Sequence, residues 1–352
     1  MSLLRNGLTS SRGLVVGVLF ALLGCSNEVI EPPPAAPDRL EFRAPPVQAV
    51  AGVPFEPAVQ IVIRRLDGTI DAASAVDVSI TSRSSTVIDT LRGVVTVTAI
   101  AGIATFPAVA LTRVSADTRL FARAVGLTGA ESSPIRVVHG EGTQLVFLTQ
   151  PSGAVAGQPL PALRIQLRDA VGNHVTSGSG PVTIAIATGP PGASITGTGS
   201  ADMIAGEASL NDVRLPRAGT GYTLLVSLVG NAAVRSPVTR VFSTAPAAPA
   251  ELIFLAEPTA SVVGIPITPA VRISILDGFG NTVTEALRPI TLGLAVAPTG
   301  TQLLGSTTMT PSAGVATFSD LRVDRPGATV RLRATSPGLN PAVSAIFGVV
   351  AP

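Results

Sequence analysis

The feature that most constrains this chain is an internal repeat, in which one sequence pattern occurs three times at intervals of about 105 residues. Each copy opens with an apolar segment ending in Phe and continues into a turn in which Gly is followed two positions later by Pro. The segments are residues 40–42, 145–147 and 252–254, and the turn glycines are Gly52, Gly157 and Gly264. A repeat of this length matches a whole domain, so the 352 residues are predicted to form three.

Within each repeat the apolar residues follow the two-residue period of a β-strand. The alternation is clearest at residues 163–168 and 271–275, where one face of the strand is apolar and the other polar. Outside residues 14–23 no segment shows the three- and four-residue spacing of an amphipathic helix. Aromatic residues make up only 3% of the chain, so aliphatic side chains must fill the cores. The repeats are therefore predicted to be all-β sandwiches or barrels.

Two kinds of turn punctuate the strands. The second and third repeats contain Asp169 to Asn173 and Asp277 to Asn281, whose Gly-Asn pairs tolerate the positive φ of a hairpin turn. The first repeat has only Asp67-Gly68-Thr69, and there we expect a shorter turn and no site shared by all three copies. A second turn, built on Ala-Gly, precedes an apolar residue that should point inward in each repeat. These residues are Phe106, Leu210 and Phe318.

Near the end of the second repeat, residues 217–222 (RAGTGY) resemble the tyrosine corner of immunoglobulin-like sandwiches, in which a Tyr hydroxyl bonds back to the main chain. Tyr222 is the single Tyr of the chain, and its counterparts are Thr118 and Val330. The corner is therefore not a requirement of the fold in this protein.

Residues 145–242 are similar to the bacterial Ig-like modules of the invasin and intimin type. The likeness is carried by FLTQPS, AGQP, DAVGN, AGEA and AGTGYTL. The resemblance covers the second and third repeats well and the first more loosely. It implies three tandem immunoglobulin-like β-sandwich domains, predicted over residues 38–140, 143–243 and 250–350, in a stalk or adhesion setting. It implies no catalytic site and no fixed ligand.

The first 24 residues are typical of a lipoprotein signal peptide. Arg5 and Arg12 precede an apolar run at 14–23 that is too short to span a bilayer. The run ends in Leu-Leu-Gly-Cys, which resembles the bacterial lipobox, so Cys25 is the predicted lipidation site. The alternative is an ordinary signal peptide with an incidental Cys. In the lipoprotein interpretation, residues 25–37 are a lipidated Cys and a Pro-rich spacer, and Ser26 after the Cys favours the outer membrane.

The composition argues against several classes of function. No Lys is present, and without the first 24 residues 22 Arg balance 22 Asp and Glu. The near-neutral chain lacks the basic stripe of a nucleic-acid binder. Only His139 and His174 could serve a catalytic triad, and both are expected in exposed loops away from a Ser and a carboxylate. No phosphate-binding, metal or nucleophile motif is present, so no cofactor and no enzymatic activity are expected.

The sequence also offers two weaker candidate binding sites. Calcium could bind at Asp169, Asp212, Asp277 or Asp320, although isolated turn aspartates more often cap their own turns. Four arginines late in the third repeat could contact an acidic glycan or lipopolysaccharide, although such residues are commonly a solvated strand face. They are Arg322, Arg325, Arg331 and Arg333.

These patterns together predict a non-enzymatic cell-envelope lipoprotein, held to the membrane by its N-terminal lipid and facing the periplasm or the exterior. Its domains would act as a surface spacer, in adhesion, or as a scaffold that contacts other surface proteins or glycans. The alternative is a carbohydrate-binding envelope protein, against which stands the scarcity of aromatic side chains that stack on sugar rings. The sequence leaves the partner and the oligomeric state open.

Overall fold

A computed structural model describes residues 38–85 and 91–352. The predicted signal peptide, Cys25 and the Pro-rich spacer lie outside the described residues. Within the described part, no helical segment has the length and hydropathy needed to span a bilayer.

The described chain is divided among three domains, each containing eleven described strands. The strands of domain 1 are β1 (Arg39–Arg43), β2 (Gln48–Val50), β3 (Val59–Arg64), β4 (Asp77–Arg83), β5 (Leu91–Arg92), β6 (Thr96–Thr98), β7 (Ile103–Phe106), β8 (Ala110–Leu111), β9 (Ser115–Arg123), β10 (Ala130–Glu131) and β11 (Ile135–Val138). The strands of domain 2 are β12 (Gly142–Phe147), β13 (Ala154–Val155), β14 (Leu163–Asp169), β15 (Gly180–Thr188), β16 (Thr196–Gly197), β17 (Ser200–Met203), β18 (Glu207–Leu210), β19 (Val213–Arg214), β20 (Gly219–Leu228), β21 (Asn231–Arg235) and β22 (Phe242–Ala245). The strands of domain 3 are β23 (Pro249–Ala256), β24 (Ser261–Val262), β25 (Val271–Asp277), β26 (Ile290–Val296), β27 (Leu303–Leu304), β28 (Thr308–Met309), β29 (Val315–Phe318), β30 (Arg322–Val323), β31 (Gly327–Thr335), β32 (Ala342–Val343) and β33 (Phe347–Val350).

The three domains share one sheet topology. In domain 2 a three-stranded sheet has the order β12-β14-β18, and a six-stranded sheet has the order β13-β22-β20-β15-β17 with β21 also on β20. Domains 1 and 3 repeat both orders strand for strand. All pairings between the described strands are antiparallel except the edge pair β13–β22 and its two counterparts. The prediction of three tandem immunoglobulin-like sandwiches is confirmed.

The alternating pattern of the sequence produces the cores. In β14, Leu163, Ile165 and Leu167 are buried while Arg164 between them is exposed. Each domain has its own cluster of buried aliphatic side chains. Phe106, Leu210 and Phe318 are all buried, as the turn pattern predicted.

The turn before these three residues requires an unusual backbone. In domain 2, Ala205 (φ 50°) and Gly206 (φ 76°) are both left-handed, as in the tight hairpin turns that match strand twist. A Cβ on Gly206 would lie 2.1 Å from the carbonyl oxygen of Val175. Gly is therefore needed there for space as well as for φ.

The predicted tyrosine corner is present in domain 2. The Tyr222 hydroxyl donates to the carbonyl oxygen of Arg217 at 2.7 Å, and the buried ring stacks on Phe242 with centroids 5.7 Å apart. In domain 1 the equivalent cross-strand pair is Thr118 with Ile135, so Thr118 stands where domain 2 has Tyr222. The corner is thus specific to this repeat.

One expectation about a chain connection was wrong. The hairpin of the first repeat is not shorter, because Arg65 bonds to Thr69 through the same main-chain pair that joins Asp169 to Asn173. Only the side chains differ. The Pro-rich segment 243–250 contains strand residues at both of its ends, so little of it is linker. Each connection has the same length, residues 139–141 and 246–248.

Candidate functional site: the joints between domains

The joint between domains 2 and 3 is formed by an Asp and an Asn that close the β25 hairpin. The Asn281 amide nitrogen donates to the Pro216 carbonyl oxygen at 2.8 Å, and its amide oxygen accepts from the Ala218 N–H at 2.8 Å. The Asp277 carboxylate accepts from the Ala247 N–H of the linker at 2.8 Å and from the Asn281 side chain at 2.9 Å. We call this Asp–Asn pair, with its bonds to the preceding domain and linker, the joint bracket.

The joint between domains 1 and 2 has the same bracket. Asn173 donates to the Thr112 carbonyl oxygen at 2.9 Å and accepts from the Val114 N–H at 3.3 Å. Asp169 accepts from the Gly140 N–H of the linker and from the Asn173 side chain, both at 3.0 Å. An amide is suited to this role because it offers a donor and an acceptor side by side, and so pairs with main chain as a strand would.

Both bracket carboxylates are nearly inaccessible to water. Asp169 is 1% exposed and Asp277 0%. Burial raises the pKa of Asp169, but hydrogen bonds from the Asn173 side chain and from three main-chain N–H groups lower it more, so the net pKa lies below the ordinary value. The pKa of Asp277 is lowered in the same way, against the same opposing effect of burial.

The sign of the pH dependence follows from these shifts. A carboxylate whose pKa is lower in the folded protein stabilises the fold above its unfolded pKa, which is about 3.9. That contribution is lost as the pH falls through the lower, folded pKa. The brackets are therefore expected to be intact at neutral pH and to weaken in acid below about pH 4.

Apolar contacts accompany the brackets. Val171, at the tip of the β14 hairpin, packs against the core of domain 1, and a Cβ on Gly52 would lie 2.8 Å from it. At the second joint a Cβ on Gly157 would lie 1.9 Å from the ring of Phe279. The repeated Gly-x-Pro turn thus leaves room for the side chain of the next domain. The equivalent Gly264 of domain 3 has no atom within 4 Å of that position among the described residues.

The outer repeats differ where the brackets would be. In domain 1 the equivalent hairpin holds Arg65 and Thr69, and both side chains bond within their own domain, to Asp71 and Asp67. In domain 3 the position equivalent to Ala218 is Pro326, which has no N–H to donate. The sequence signal for the brackets is the Asp and Gly-Asn pattern, which occurs in the second and third repeats alone and has a sufficient local explanation in turn formation.

The four aspartates considered for calcium have other partners. Each oxygen of Asp169 and Asp277 accepts two N–H donors. Asp212 accepts from Arg214 at 2.6 Å, and Asp320 accepts from the main chain and hydroxyl of Ser306. Across residues 38–85 and 91–352 no three metal-ligating side chains form a group.

The histidines were wrongly expected in fully exposed loops, since both are half-buried. The linker places His139 against domain 2, where Nε2 lies 3.4 Å from the Ser177 hydroxyl, and its Nδ1 faces the Gly140 carbonyl oxygen rather than a carboxylate. His174 Nε2 is buried without a hydrogen-bond partner among the described residues.

The four arginines of the third repeat are divided between two elements and a loop. Arg331 and Arg333 alternate with the buried Leu332 on β31, so they share one face of the six-stranded sheet. Arg322 lies on β30, in a separate two-stranded sheet. Arg325 lies in the following loop, where it donates to the Thr299 carbonyl oxygen at 3.4 Å. A glycan contact at these residues stays a prediction.

The chain matches no protein-family model and no curated protein sequence. Among solved structures it is similar to the Escherichia coli adhesin FdeC, with 15% identity over 90% of this chain and 98% of that one and a TM-score of 0.32. The FN1–FN3 domains of chicken CNTN1 are 14% identical over 89% of this chain and 98% of that one, with a TM-score of 0.30. Cadherin domains 3–6 of protocadherin gamma B2 are 14% identical over 89% of this chain and 73% of that one, with a TM-score of 0.33. These values are low, and the fold assignment rests on the strand order described above.

Proposed function

We propose that this protein is a non-enzymatic, lipid-anchored scaffold of the bacterial cell envelope, in which three immunoglobulin-like domains form a stiff spacer for adhesion or protein contact. The observation that carries the proposal is the joint bracket. Two successive joints use the same four kinds of hydrogen bond, and both carboxylates are buried. Linkers of three residues leave little freedom between bracketed domains.

The anchor is proposed from the sequence. Cys25 is the single Cys and follows the apolar run at the lipobox position. Acyl chains contribute about 0.8 kcal/mol for each buried CH₂, and stable anchoring needs more than one chain, as a lipidated Cys supplies. A stiff array attached at one end would hold its last domain away from the membrane.

Metabolic labelling with a fatty-acid analogue tests the anchor. We expect label on the wild-type chain and none on Cys25→Ser, with the protein released from the membrane fraction. Label on the serine variant, or an unlabelled wild-type chain, would overturn the anchor.

Protease shaving of intact cells tests the surface setting separately. Loss of the domains from intact cells supports a role in adhesion. Survival of the domains until the outer membrane is opened would place them in the periplasm and remove adhesion from the proposal, leaving a periplasmic spacer.

A further inference from the structure

An open cleft of about 620 Å³ lies at the second joint. Residues of both domains line it, including Arg217 and Thr220 of domain 2 and Thr282 and Thr284 of domain 3. The cleft at the corresponding position of the first joint is about 320 Å³, and a separate cleft of about 470 Å³ lies beside the linker there. A volume of several hundred Å³ is the size of a small-molecule site.

The difference between the two clefts comes from three neighbouring positions. The first cleft is lined by Arg136, Val137 and His139. At the same positions of β22 and its linker, the second cleft has Ser243, Thr244 and Pro246. Ser243 and Pro246 are smaller than Arg136 and His139, which opens the second cleft, and Ser243 and Thr244 bring hydroxyl groups to it.

Thr244 is an unusual choice for the floor of the cleft. It is 3% exposed, and its hydroxyl has no hydrogen-bond partner among the described residues. Val137 and Val349 occupy the equivalent register positions of the other two domains. A buried unpaired hydroxyl is unfavourable, so a valine would serve the core better. A ligand hydroxyl that reaches Thr244 from the cleft would remove that penalty.

The wall of the cleft is held in place by the tyrosine corner. The Tyr222 hydroxyl bonds to the Arg217 carbonyl oxygen, and Ala218 of the same loop is bonded by Asn281 of domain 3. The loop that carries Arg217 is therefore fixed from both domains. A site fixed in advance loses less entropy when a ligand binds.

The charge of the cleft favours an anion. No acidic residue is among those lining it, and within the described chain Arg217 forms no ion pair. The exposed Arg217 lines the cleft together with Thr220, Ser243 and Thr284, which carry hydroxyl groups. A guanidinium binds a carboxylate through two parallel hydrogen bonds, and hydroxyls exchange hydrogen bonds with other hydroxyls.

We propose that the cleft between domains 2 and 3 binds an acidic saccharide, with its carboxylate on Arg217 and its hydroxyls on the threonines and serine around it. This site is independent of the lipid anchor and adds a ligand to the scaffold. The first joint, with its smaller cleft, does not share the activity.

Titration calorimetry on the full chain tests the site with three acidic probes: digalacturonate, a hyaluronan tetrasaccharide and sialyllactose. Lactose is the neutral control, and acetate and inorganic phosphate test for a simple anion site. We expect at least one acidic probe to bind, and Arg217→Gln to weaken that binding at least about tenfold. Arg113→Gln, at the equivalent position of the first joint, should bind like the wild type.

A second variant separates a binding role from a structural one. Thr244→Val should raise the melting temperature while weakening the bound saccharide several-fold, because it removes an unpaired hydroxyl from the core and a partner from the ligand. A purely structural threonine would not change affinity. The proposal is overturned if none of the acidic probes binds, if lactose, acetate or phosphate binds equally well, or if Arg217→Gln or Thr244→Val leaves the affinity unchanged.

Discussion

Removing the bracket amide at the second joint should weaken domain 2 although the substituted residue belongs to domain 3. Asn281→Ala deletes the bond to the Pro216 carbonyl oxygen and the bond from the Ala218 N–H, both 2.8 Å long. Asn281 is 4% exposed, so water replaces these partners poorly. Each bond is worth about 1 kcal/mol net, and the two together stabilise domain 2 by about 2 kcal/mol.

The chain provides its own probe for this measurement. Tyr222 is the single Tyr, and there is no Trp, so intrinsic fluorescence reports the unfolding of domain 2 alone. For a domain of this size the free energy of unfolding falls by about 1–2 kcal/mol for each molar increase in urea. A variant that is about 2 kcal/mol less stable therefore has a urea midpoint lower by roughly 1–2 M. Circular dichroism on the same samples follows all three domains.

The matched control is Thr69→Ala, which alters the same hairpin position in domain 1. Thr69 bonds to Asp67 in its own turn, so this substitution should leave the urea midpoint measured by Tyr222 fluorescence unchanged. An unchanged midpoint for Asn281→Ala would refute the bracket, as would an equal shift for Thr69→Ala.

Four further outcomes are expected. The urea midpoint of Tyr222 fluorescence in the wild type should fall as the pH drops below the unfolded carboxyl pKa of about 3.9 toward the lower folded pKa values of Asp169 and Asp277, and Asp277→Asn should reduce that fall. Gly157→Ala should loosen the second joint, because the added Cβ displaces Phe279. The control Gly264→Ala has the same φ of 72° but open space around the added Cβ, so in urea unfolding it should cost only backbone strain of about 1–2 kcal/mol. Tyr222→Phe should destabilise domain 2 by about 1 kcal/mol in circular dichroism, because the Arg217 carbonyl loses its donor. Thr244→Val should stabilise domain 2 by about 1–3 kcal/mol, and a lower midpoint would contradict the unpaired hydroxyl.

The sandwich fold was predictable because it depends on local patterns. Strand alternation, as in β14, places Leu163 and Ile165 inside, and a two-residue period leaves no other face for them. The tyrosine corner was predictable for a similar reason, since Tyr222 and its acceptor Arg217 are five residues apart.

The joints could not be predicted in the same way. Asn173 and its partner Thr112 are 61 residues apart, and nothing in either local sequence indicates the other. A Gly-Asn hairpin has a sufficient local explanation in its backbone turn, which concealed the second use of the side chain. The cleft could not be predicted from the sequence either. Thr244 fits an ordinary alternating strand, and its difference from Val137 is seen only when the repeats are aligned by strand register.

The central claim is that both joints hold their domains in one fixed geometry. Spin labels at Ser79, Thr183 and Thr291 occupy equivalent positions of β4, β15 and β26, and Cys25→Ser removes the native thiol. Pulsed electron spin resonance on these pairs should give two narrow distance distributions with the same mean. Broad distributions at neutral pH, or two different means, would contradict the account.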